Sequence, residues 1–260
     1  MSASMWGHGI ALAALAGALA IAPPTVEDLR EAAAMAVRPA VLPFAWQGLL
    51  EAEQHGEPAE AFARAQYLMQ LLPQWADGFA AFAYGYVLAE DAASAADAAH
   101  RSERRHARLQ LAMAWMDAAR AAAGRHEPSL LLALAFLPDF AVQQDPELAP
   151  RLPPGGAAGL ADRYLAELEQ RFPSAAARDQ RTFFAPRLAA ALLGAGNRDA
   201  AVAVLRQAIV RSGDARDQAL ATAWRTRLEE VVRWLLGDRT IDLAAVRADS
   251  RMAPLLPHLR

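Results

Sequence analysis

The chain contains no cysteine and no lysine in 260 residues. Without thiols it can form no disulfide, no thiolate nucleophile and no cysteine-ligated zinc or iron–sulfur centre, and it lacks the anchor of a bacterial lipoprotein. The redox compartment stays open, because cysteine-free proteins occur in both. With lysine missing, every cationic side chain apart from histidine is an arginine, and together with an alanine content of about a quarter this usage points to a GC-rich bacterial genome. A large excess of either charge is also missing. The formal net charge of -3 lacks the positive surplus that phosphate backbones select for, so nucleic acid is not an expected partner.

Alanine is the strongest helix former, runs of Val, Ile and Thr are scarce, and 55% hydrophobic residues exclude wholesale disorder. The expectation is an all-α chain with a sizeable core. The stretch Met5–Ala22 carries no formal charge, and as a helix rising about 1.5 Å per residue it would reach about 27 Å, just enough for a thin bilayer. Residues 1–23 are therefore read as an apolar helix that anchors the chain in a membrane. Two alternatives stand beside it. The small-x-small triplets Ala18-Leu19-Ala20 and Ala20-Ile21-Ala22 fit a cleaved signal peptide, although no Arg or Lys precedes the run and Pro23 follows the second triplet. An alanine-rich helix buried in the soluble fold is the third. Arg30 and Arg38 on the far side weakly favour a cytoplasmic domain, whereas the habit of short amino-terminal anchors favours the opposite, and the latter is adopted here.

Beyond a linker and lead-in helix over residues 24–41, three segments align with one another. Gly56, Ala61 and Pro73 are spaced Gly-x4-Ala-x11-Pro, Gly156, Ala161 and Pro173 repeat that spacing, and Gly196 and Ala201 begin it again with Gly213 in place of the proline. In a helix-turn-helix unit the Gly permits the tight turn, the Ala lets two helices approach closely, and the Pro ends one unit and starts the next. Phe79, Phe82, Ala83 and Tyr86 add an i, i+3, i+4, i+7 row soon after Pro73.

This spacing and this row resemble the tetratricopeptide repeat. The resemblance covers about residues 42–236 and implies an α-α solenoid of about four helix pairs over residues 42–213, closed by a capping helix and a C-terminal tail over 214–260. The second pair is stretched by a delay over Asp91–Ser102, and the third carries an insertion from Gln143 to Gly156. The capping helix is expected over about Ala215–Leu236, with Leu220, Trp224, Leu228, Val231 and Leu235 on one face and Gly237 as its stop. The last twenty residues are expected to form at most a short helix and a tail. Apolar anchor and helical pairs in this order look like membrane-anchored bacterial tetratricopeptide proteins. The resemblance also implies a groove lined by first-helix residues, here Trp46, Leu50 and Glu53 in one unit and Tyr84 and Leu88 in the next, apolar enough for an amphipathic helix or an apolar strand of a partner protein.

The densest polar cluster is His100-Arg-Ser-Glu103-Arg-Arg-His106. Residues six apart on a helix lie about 240° apart around its axis, so the two imidazoles and Glu103 do not readily converge on a metal. Arg101, Arg104, Arg105 and Arg108 share one face by spacing and are read as a basic stripe, either solvated or turned to an anionic lipid or an acidic protein surface. No phosphate loop, metalloprotease helix or nucleophile elbow occurs. The sequence thus predicts no cofactor, no metal and no enzymatic activity. It predicts an interaction scaffold in a bacterial inner-membrane complex, single-pass and facing the periplasm, or periplasmic if the leader is cleaved. A permanent subunit of a larger membrane assembly is the alternative, and an enzyme or metal binder using residues 100–108 a remoter one.

Overall fold

The computed structural model describes residues 26–72, 75–89, 98–214 and 217–259, with side chains in the first helix from Arg38 onward. Among the described residues the chain is all-α, a succession of paired helices with no strand. The apolar run at Met5–Ala22 and Pro73 lie outside the described residues. Within them no helix is long and apolar enough to cross a membrane.

The chain divides into two compact units, 1–72 and 73–260. In the first, α1 (Val26–Gln54) and α2 (Pro58–Leu71) form a hairpin. Its turn follows from Gly56 at φ +69°, where the N–H of Gly56 bonds to the carbonyl of Glu53 and that of Glu57 to the carbonyl of Ala52. This pattern closes a helix end only if the residue after the cap takes the left-handed region, which costs a residue with a Cβ about 1–2 kcal/mol. Pro58 opens α2, where its missing N–H is no loss. Leu49 and Ala52 of α1 and Ala61, Phe62, Ala65, Leu68 and Met69 of α2 are buried.

The second unit contains α3 (Ala76–Leu88), α4 (Ala98–Ala123), α5 (Glu127–Gln144), α6 (Gly156–Arg171), α7 (Ala175–Gly194), α8 (Arg198–Arg211), α9 (Gln218–Leu235) and the short α10 (Ala244–Ala248). Helices α3, α4 and α5 pack against one another, and from α5 to α9 each helix lies against the next. The row expected in α3 is inward facing: Phe79, Phe82 and Ala83 are buried, and Tyr86 stacks on Phe82 with ring centroids 5.9 Å apart. Trp115 of α4 meets the same aromatics, at 4.7 Å from Phe79 and 5.7 Å from Phe82.

Among the described residues three α-helix starts are capped by side chains: Ser174 accepts from the N–H of Ala177, Asn197 from that of Ala200, and Asp217 from that of Leu220. The α7–α8 turn repeats the geometry at Gly56, with Gly196 at φ +77° and the N–H of Asn197 bonded to the carbonyl of Leu192. Gly156 differs. It sits at φ +61° beside Gly155 at φ +89°, after Pro153-Pro154, and the two glycines start α6 rather than end a preceding α-helix. The insertion before them is a 3-10 segment, Pro146–Arg151, whose Leu148 is buried.

Two apolar clusters fill this unit. One joins α3 to α6 and reaches Ala177 and Phe184 of α7; the other joins Ala185 and Ala189 of α7 to α8, α9 and the C-terminal segment. Neighbouring residues of an α-helix point about 100° apart, so one helix serves both clusters. In the second cluster Trp224, Leu228, Val231 and Leu235 are buried as expected for the capping helix, while Leu220 is exposed. The final residues are not a tail. Ser250–His258 forms a 3-10 helix packed on α7, with Met252, Leu255 and Leu259 buried, each contributing about 2 kcal/mol of apolar burial. Pro254 and Pro257 break any α-helical reading of this segment, which hides the periodicity of its three anchors.

Candidate binding surfaces

Helix α4 carries the densest polar cluster, and packing sorts it. Ser102, Arg105, Leu109, Ala112 and Met116 recur at intervals of three and four and form the buried face. Arg105 is therefore turned inward, where a guanidinium nitrogen lies 3.6 Å from a carboxylate oxygen of the buried Asp145. Arg108 lies over the ring of Tyr86, 5.6 Å from its centre, and donates to the carbonyl of Ala89. Arg104 is exposed and Arg101 partly so. The four arginines thus do not make one continuous solvent-facing stripe. Spacing placed them on one side of α4, but that side borders the core, and Asp145, forty residues away in sequence, draws one of them in.

His100 and Glu103 are exposed, and His106 is partly buried with its Nδ1 turned inward. Among the described residues no three His, Cys, Asp or Glu side chains come together as a metal site.

The first-helix residues predicted for a groove fall in both units. Trp46, Leu50 and Glu53 are exposed on α1 in the first unit. In the second, Tyr84 and Leu88 are half-buried against the first apolar cluster. The Tyr84 hydroxyl donates to the carbonyl of Ala133 at 3.3 Å, and its ring meets Phe140 edge-on at 5.7 Å. Burial, helped by the nearby charge of Asp139, pushes its phenol up to about 12.

Where α5, α6 and α7 converge, a groove of about 450 Å³ opens. Pro128 and Leu132 line it from α5, Leu168 from α6 and Phe172 from its C-terminal cap, and Ala176 and Gln180 from α7. Its lining is apolar apart from Gln180 and the capping Ser174, whose hydroxyl is committed to Ala177. Sequence reasoning missed it, because two of its walls are second-helix and connector residues. The available signal was the proline at each mouth: Pro128 and Pro173 fix where α5 begins and where α6 hands over to α7.

An ion network braces one side of this groove. Glu127, nearly excluded from solvent at the start of α5, accepts from Arg120 Nε at 3.1 Å and from Arg171 Nη2 at 2.7 Å. Arg120 and Arg171 also both reach Glu167. Burial alone would push the Glu167 carboxyl up, yet the hydrogen bonds from Arg120 and Arg171 outweigh it and hold the group below the usual range. A second network ties α6 to α7 and α8: Arg181 donates to Asp162 at 2.8 Å and to Glu169 at 2.9 Å, and Arg211 lies 3.8 Å from Glu169. Burial, and then the charge of Arg181, pull the Arg211 guanidinium below its ordinary value.

No protein-family model, no curated protein and no solved structure matches this chain.

Proposed function

We propose that the chain is a non-enzymatic interaction scaffold of the tetratricopeptide-like kind, which holds an apolar segment of a partner protein in the groove between α5, α6 and α7. The groove itself carries this reading. Its volume suits a few apolar side chains, its floor of Leu132, Leu168 and Phe172 offers them dry contact, and the Arg120–Glu127–Glu167–Arg171 network keeps its walls fixed before anything binds. A rigid apolar trough between helices is the geometry by which helical-repeat proteins take amphipathic helices or extended strands. Support for the repeat reading comes from the matched turns at Gly56 and Gly196 and from the buried Ala61, Ala161 and Ala201 at which paired helices meet. We extend the proposal to location: the uncharged Met5–Ala22 run anchors this scaffold in a bacterial inner membrane, with the helical domain on the periplasmic side.

A photo-reactive residue placed at Ala176 or Gln180, both exposed at the groove, tests the scaffold reading in cells. The expected product is one partner crosslinked from either position, lost when Ala176→Glu is combined with the Gln180 probe. Equal yields from a probe at the exposed Arg206 on α8 would sink it. A partner that stays bound through high salt and detergent would make the chain a fixed subunit rather than an exchangeable adaptor.

A further inference from the structure

The end of α7, the start of α8, the end of α9 and the C-terminal 3-10 segment enclose a separate pocket of about 270 Å³. Arg198, Arg239 and His258 line it together with Leu193, Gly196 and Trp234. Three potential cations therefore face one concavity, and no carboxylate shares it. The nearest acidic neighbours in sequence leave them alone. Asp238 accepts from Arg233 at 2.6 Å and from the Thr240 hydroxyl at 2.6 Å, which holds its carboxyl below the usual range, and Asp199 forms no ion pair with Arg198. Among the described residues neither Arg198 nor Arg239 is paired with any carboxylate.

Arg198 and Arg239, both exposed, are two guanidinium groups without a carboxylate partner that line one pocket, and their planar forks match the oxygens of an oxyanion. Arg239 is held in place, with its guanidinium carbon 4.2 Å from the centre of the Trp234 ring, so little of its freedom remains to be lost on binding. The volume lies just under the range of drug-sized ligand sites, about 300–1,000 Å³, and fits a compact anion.

We propose that this pocket binds a phosphate monoester group, with Arg198 and Arg239 as its two anchors and the His258 imidazole as a third donor. A monoester carries about -1.5 to -2 charges near neutral pH, which two guanidinium groups neutralise. The group can belong to a soluble phosphate ester or to a lipid headgroup; the chemistry in the pocket is the same, and experiment separates the two.

The test is calorimetric titration of the full chain in low salt with glycerol 3-phosphate, inorganic phosphate and succinate, alongside co-sedimentation with phosphatidylcholine vesicles containing phosphatidic acid. Saturable binding of glycerol 3-phosphate is expected, weakened about tenfold by Arg198→Gln and by Arg239→Gln, and unchanged in Arg151→Gln, an exposed arginine on the 3-10 segment before α6. Both pocket arginines are exposed, so these variants should keep the helical circular dichroism of the parent. Vesicle binding that disappears in the double variant assigns the phosphate to lipid, and binding of the free ester alone assigns it to a soluble ligand. The proposal is overturned if no phosphate probe saturates, if the folded double variant binds as well as the parent, or if succinate binds more tightly than glycerol 3-phosphate.

Discussion

Arg171, at the last turn of α6, donates to a carboxylate oxygen of Glu127, at the first turn of α5, across 2.7 Å. Because Glu127 also accepts from Arg120 of α4, one acidic side chain holds three helices. Removing it leaves Arg120, itself largely shielded, with a buried charge short of one partner. Glu127→Ala is expected to destabilise the fold by about 3 kcal/mol. Glu60→Ala breaks an exposed pair with Arg64 on α2 and is expected to cost less than about 0.5 kcal/mol. Urea unfolding of the two variants checks the ranking, and a loss at Glu127 no greater than at Glu60 would remove the network from the account of the groove walls.

Tyr84 makes stability depend on alkali. Its folded phenol is raised to about 12 from an unfolded value near 10, so between these values the native state holds a proton that the unfolded chain has released. The stabilisation is complete below about pH 10 and fades as pH rises through about 12. Absorbance titration near 295 nm should show one of the four tyrosines ionising last, and Tyr84→Phe should delete that step. A variant whose latest-ionising tyrosine is unchanged would place the raised group elsewhere.

Two glycines with opposite roles give a paired prediction. A Cβ at Gly85, in the body of α3, would meet nothing within 4 Å, so Gly85→Ala is expected to stabilise by about 0.5–1 kcal/mol through helix propensity. A Cβ at Gly196 also meets nothing, but its φ of +77° strains any residue that carries one, and Gly196→Ala is expected to destabilise by about 1 kcal/mol. Thermal unfolding should move up by a few degrees in the first case and down in the second. The same direction of shift in both would mean that open space, not backbone conformation, governs these sites.

Much of this fold was legible because its rules are local. Alanine content and apolar spacing are properties of single helices, and they placed the Phe79, Phe82 and Ala83 face and the Trp224, Leu228 and Val231 face correctly. The turns at Gly56 and Gly196 were legible because a left-handed residue leaves a glycine behind. What escaped was set by distant partners. Nothing near Arg105 in sequence announces Asp145, so a residue counted in an exposed stripe turned out to be buried. The C-terminal segment escaped for a different reason. Its anchors Met252, Leu255 and Leu259 keep the three-and-four spacing of an apolar helix face, but Pro254 and Pro257 between them read as loop. Both pockets assemble from helix ends and connectors, where period-based reading has least to work with.

Helix α7 faces one apolar cluster through Phe184 and the other through the adjacent Ala185. No cut through residues 73–260 can part the two clusters without leaving half of this helix bare. Neither cluster therefore melts alone: loss of the one strips a wall from the other, and amide protons on both sides of α7 should exchange through a single opening whose free energy is that of the whole unit.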